Sequence, residues 1–151
     1  TRHIPSFVFP LAIAAVVGGS AGAWFGSRRF APASIKRLLA TVQALTAHPV
    51  FNIKNPNKVR SLIGAFCSAN PARFHAADGA AYAYAGDFIL RLDPINPQVT
   101  ARLAAAFSQW RRFDAARQAL MRAQLQRILA APGLSRDVYE IVSKSLADSV
   151  V

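Results

Sequence analysis

Asn55-Pro56-Asn57-Lys58-Val59-Arg60-Ser61-Leu62-Ile63-Gly64-Ala65-Phe66 is the stretch on which the fold turns. An Asn side chain can accept the first free amide protons of a helix, and a Pro at the first helical position lacks only an N–H that has no partner there. Val59, Leu62, Ile63 and Phe66 then follow at helical spacing. Asn70-Pro71 and Asn96-Pro97 repeat the opening, and after the second Val99, Leu103, Ala106, Phe107 and Trp110 mark another apolar face. Further on, Asp114 can cap a long helix carrying Leu120, Met121, Leu125, Ile128 and Leu129, which Pro132-Gly133 breaks. Ser135 opens a final helix with Val138, Ile141, Val142 and Leu146 inward, and Asp137 and Glu140 near its positive end. Towards the N-terminus, Ser34 can cap a helix with Ile35, Leu38, Leu39, Val42 and Leu45 on one side, ended by His48-Pro49. Ala81-Tyr82-Ala83-Tyr84 is too brief an alternation for a strand. The expected class is all-α: short antiparallel helices in a small solenoid-like stack.

The 151 residues carry 18 Lys+Arg against 7 Asp+Glu, a net charge of +11, yet 53% are hydrophobic and the mean hydropathy is +0.24. So much apolar content excludes a disordered tail, and a single Cys67 excludes an internal disulfide framework. Charge and hydropathy are separated along the chain. From Ile4 to Ser27 there is no charged residue, a run of 24, with Arg28 and Arg29 behind it. Residues 54–151 hold 13 basic and 7 acidic residues, the mixed balance of a solvated surface.

Three readings of the apolar run compete: a buried core helix, a secretory signal peptide with Ala21-Gly22-Ala23 as its cleavage site, and a retained transmembrane helix. The run is longer than core helices usually are. It would span the roughly 30 Å hydrocarbon core, with Trp24 and Phe25 at an interface, which favours the third. Ala14, Gly18, Gly22 and Gly26 recur every four residues, a stripe on which a partner membrane helix could pack closely. Arg28, Arg29, Lys36 and Arg37 follow the span. The positive-inside rule therefore places the remainder on the cytosolic, matrix or stromal side, where these cations could touch anionic lipid headgroups. The expected division is an anchor over 1–29, a basic linker and first helix over 30–44, and a helical domain over 45–151.

Further residues bring a family into view. His48-Pro49-Val50-Phe51, Asn55-Pro56-Asn57-Lys58-Val59-Arg60 and Leu62-Ile63-Gly64-Ala65-Phe66 resemble the C-terminal helical domain of bacterial-type aminopeptidase N. So do Asn70-Pro71 with Phe74-His75, Asp78-Gly79 with Tyr82, Leu92-Asp93 with Asn96-Pro97-Gln98-Val99, Trp110-Arg111-Arg112-Phe113-Asp114, Arg117-Gln118, and Leu134-Ser135 with Asp137-Val138-Tyr139-Glu140. The likeness runs from about Leu45 to Ala147. It implies an α-helical superhelix that closes over a catalytic cleft. Two departures stand out. Ala81 occupies the place of a second family Gly, so a loop needing positive φ would be altered there. The zinc-binding His-Glu-x-x-His is absent: the chain has only His3, His48 and His75, none followed by Glu, and one Glu, Glu140.

No other constellation carries chemistry. Cys67 reads as a small packed residue, His48 and His75 as structural hydrogen-bonding groups, and Asp78-Gly79 as a turn. Arg117, Arg122 and Arg127 step by five and wind around their helix, so nucleic-acid binding is not expected. The expected function is therefore a non-enzymatic accessory subunit of a large membrane complex, with no cofactor and no metal. Its partners would be the membrane and the transmembrane helices of other subunits. A basic chain starting at Thr1, whose only Met is Met121, suits a processed mitochondrial inner-membrane protein of a respiratory-chain complex or ATP synthase, with its domain on the matrix side. A thylakoid photosystem complex, domain on the stromal side, satisfies the same features. So does a regulatory fragment acting with a separately encoded peptidase.

Overall fold

The computed structural model describes residues 32–147, with side-chain surroundings from residue 37. Every regular element among them is helical: α1 (Pro32–Ala47), α2 (Pro56–Val59), a π turn (Arg60–Gly64), α3 (Ala65–Ala69), α4 (Pro71–Phe74), α5 (Ala80–Leu92), α6 (Pro97–Ala104), α7 (Ala115–Leu129) and α8 (Arg136–Ala147). Two 3₁₀ turns, Ala105–Phe107 and Trp110–Arg112, lie between α6 and α7.

The helix starts follow from their caps. Asn55 accepts from the amides of Asn57 and Lys58, Asn96 from that of Val99 at 3.1 Å, and Asp114 from that of Arg117 at 3.1 Å. Asn70 makes no such side-chain cap; its Nδ2 donates instead to the carbonyl of Ala65, the first residue of α3. The first described helix already includes Pro32, ahead of Ser34. Gly79, with φ +66°, turns the chain into α5. The neighbouring departure from the family pattern is harmless: Ala81 is an ordinary buried helical residue, and no residue other than glycine has positive φ among the described residues.

Four helices close a ring of contacts: α5 on α6, α6 on α8, α8 on α7, and α7 on α5. Phe66, Phe74, Tyr82, Phe88 and Phe107 are fully buried inside it, with Leu62, Ile63, Leu92, Met121, Leu125 and Ile128. Phe74 meets Phe66, Tyr82 and Phe107 edge-on at 5.3–6.0 Å, the arrangement aromatic quadrupoles favour. The end of α8 is fastened by the Trp110 indole N–H, which donates to the Ser145 carbonyl at 3.1 Å, and by Arg111, which donates to that of Leu146.

The apolar run at 4–27, with Ala14, Gly18, Gly22, Gly26, Arg28 and Arg29, lies outside the described residues. No helix among the described residues is long and apolar enough to cross a membrane.

Candidate functional site

A cleft of about 570 Å³ opens between the π turn with α3 on one side and α6 with its 3₁₀ extension on the other. Its floor is apolar: Ala65, Cys67, Val99, Leu103 and Ala106. Two exposed arginines, Arg60 and Arg102, stand on its rim. Arg60 opens the π turn that follows α2, and Arg102 lies in the second turn of α6. Among the described residues no carboxylate pairs with either guanidinium; the ion pairs are Arg117 with Asp114 and Arg127 with Asp87. A planar fork of five donors above an apolar floor is suited to a carboxylate or phosphate carried on an apolar body. The π turn contributes Arg60 and Gly64 to this wall, and such turns inside helices recur at functional sites.

Of the residues singled out from sequence, Cys67 lies on the floor of this cleft, whereas Arg37, His48, His75 and Asp78 do not line it. Lys36 and Arg37 sit on α1, where Arg37 is exposed. Cys67 is buried, and burial pushes its thiol up to about 12, which keeps it protonated and unreactive at neutral pH. The imidazole of His48 accepts from the Val50 amide at 3.2 Å. That of His75 meets the Tyr82 hydroxyl at 2.8 Å, and Asp78 accepts from the Ala80 amide within its turn. Arg60 and Arg102 escaped notice because a lone arginine carries no signal; they stand four and five residues after Pro56 and Pro97, and only the fold brings them together.

The residues present do not fit the zinc that the family resemblance brings to mind. Among the described residues no three His, Cys, Asp or Glu side chains converge closely enough to hold a metal ion.

Comparison with known proteins gives the site its context. Residues 22–147 match the family described as a domain of unknown function (DUF3458_C) with ARM repeats. The chain is similar to aminopeptidase N of Caulobacter vibrioides, 49% identical over 72% of this chain and 12% of the relative. It is also similar to aminopeptidase N of Escherichia coli, 43% identical over 82% of this chain and 14% of the relative. A crystal structure of Legionella pneumophila aminopeptidase A in complex with aspartic acid matches with a TM-score of 0.67 and 39% identity, over 80% of this chain and 13% of that one. The chain thus spans only about an eighth of the length of these relatives.

These findings overturn the membrane-complex reading. Subunits of a respiratory-chain complex, ATP synthase or photosystem are excluded because the relatives are peptidases. Mitochondrial inner-membrane and thylakoid placements fall with them, because those relatives are bacterial. The physical reason for the error is that an uncharged stretch of bilayer length has the same hydropathy whatever surrounds it. The family match begins at residue 22, inside the stretch read as an anchor.

Proposed function

The chain belongs to the ARM-repeat family DUF3458_C, the helical C-terminal domain of aminopeptidase N, and from that premise we propose that it serves a zinc aminopeptidase as a wall of its substrate chamber. Its contribution is the cleft between α3 and α6, where Arg60 and Arg102 receive the C-terminal carboxylate of a short peptide whose N-terminus lies at the catalytic part. The observation that carries this reading is the pair of guanidinium groups on the rim of one apolar cleft that have no carboxylate partner among the described residues. Arginines left without carboxylate partners above an apolar floor are poised for an anionic partner from outside.

The test uses a chimera in which residues 22–147 replace the matching segment of Escherichia coli aminopeptidase N. Hydrolysis of a tripeptide is compared with that of its C-terminal amide. We expect kcat/KM to favour the free acid by about tenfold, as roughly 1.4 kcal/mol of charge-assisted hydrogen bonding would give. In Arg60→Met/Arg102→Met that preference should vanish while the amide is hydrolysed as before. An unchanged acid-to-amide ratio in the double variant would refute the role of the cleft.

A further inference from the structure

One titratable group outside the cleft ties four segments together. His75 follows α4. Its ring stacks on Phe113 at 4.0 Å between centroids, meets Phe74 edge-on at 5.0 Å and bonds the Tyr82 hydroxyl of α5 through Nδ1. Its carbonyl accepts from Arg117 Nε of α7 at 2.7 Å, and Arg117 is in turn paired with the helix-capping Asp114.

Tyr82 is fully buried, and among the described residues its hydroxyl has no other hydrogen-bond partner. With neutral His75 and Nδ1 as acceptor, the tyrosine O–H donates and is satisfied; when Nδ1 carries a proton the bond reverses, Nδ1–H donating to the tyrosine oxygen. An imidazolium carries a proton on both nitrogens, so its Nδ1–H donates to the hydroxyl oxygen and the buried Tyr82 O–H proton is left without an acceptor among the described residues.

The charged surroundings point the same way. Arg117 brings a second cation to the residue, and Asp114 is already engaged by Arg117. Within the following turn Asp78 accepts from the Ala80 amide. Of the elements packed on α4, α3 has no charged residue, α1 has only the cations Lys36 and Arg37, α5 has Arg91 and an Asp87 paired with Arg127, and α4 itself has Arg73. Among the described residues no carboxylate pairs with the ring.

We propose that His75 is an acid-sensitive latch, closed when neutral and opened by protonation, that fastens the α4–α5 junction to the start of α7. This goes beyond the wall function and does not depend on it. Burial first, and the Arg117 charge second, hold the imidazole below its ordinary 6.5. With a lowered folded value, the latch contributes its full stability above pH 6.5. That contribution is lost as pH falls through the folded value.

NMR titration of the 151-residue chain, together with amide hydrogen exchange, reads both ends of the latch. We expect the His75 ring to titrate with a midpoint below 6.5. Protection of the Arg117 and Gln118 amides, corrected for intrinsic exchange, should drop about tenfold or more between pH 7.5 and pH 5. His75→Gln should abolish that drop. Tyr82→Phe, which keeps the ring packing and removes the donor to Nδ1, should raise the His75 midpoint. A wild-type midpoint at or above 6.5, or a midpoint unmoved by Tyr82→Phe, would overturn the proposal. So would acid loss of protection that persists in His75→Gln.

Discussion

Two glycines show how backbone and space act together at a single residue. Gly79 has φ +66°, and a Cβ there would stand 2.8 Å from Leu120 Cδ1 of α7. Gly79→Ala must therefore both adopt a left-handed conformation and push a partly buried leucine aside. We expect it to destabilise the chain by about 1–3 kcal/mol in urea unfolding; a midpoint equal to that of the wild type would show that the turn relaxes freely. Gly64 is the opposite case. It is helical, with φ −58° and ψ −46°, and an added Cβ would meet nothing nearer than 4.0 Å. Gly64→Ala should stabilise by roughly 0.5–1 kcal/mol by removing freedom from the unfolded chain. A loss of stability would mean that the π turn needs the glycine.

At the scale of the elements, the start of α8 hangs on one buried carboxylate. Asp93, 3% exposed at the end of α5, accepts from the Ser135 amide at 2.7 Å and from its hydroxyl at 2.5 Å. It thereby fixes Ser135, whose own hydroxyl oxygen accepts from the Val138 amide. Asp93→Ala removes two charge-assisted bonds and leaves the Ser135 donors without their acceptor. It should cost about 2–4 kcal/mol, with Asp93→Asn, which keeps one acceptor, losing less. A thermal unfolding midpoint within a degree of the wild type for Asp93→Ala would contradict this lock.

Element existence was legible because its signals are local: Asn55, Asn96 and Asp114 cap as their neighbours foretell, and the apolar spacing of α7 and α8 matches their buried faces. Where the outcome depends on distant contacts, the signal fails. Asn70 has the sequence of a cap but spends its amide on the Ala65 carbonyl. The face through Val99, Leu103, Ala106, Phe107 and Trp110 reads as one helix. Yet the chain breaks into 3₁₀ turns after Ala104, with Trp110 held by the remote Ser145 carbonyl. Asp93 looked like any residue between a helix and an Asn-Pro start; only the fold brings Ser135 to it. The cleft is non-local in the same sense, since Arg60 and Arg102 are 42 positions apart.

For the whole molecule, charge and hydropathy pointed to a membrane, whereas the motifs are those of a helical domain whose relatives are aminopeptidases. Composition averages over the chain, but the ordered motifs from His48 to Glu140 each impose a specific turn, cap or contact, so they discriminate better. Helices of this kind stack on neighbours and bury little apolar surface alone, which suits a wall within a larger enzyme. The most direct measurement is the peptidase activity of Escherichia coli aminopeptidase N in three forms: intact, lacking the segment matched by residues 22–147, and with those residues in its place. The account predicts that deletion abolishes hydrolysis and that the graft restores kcat/KM to within about tenfold of the intact enzyme. A folded graft as inactive as the deletion would contradict it.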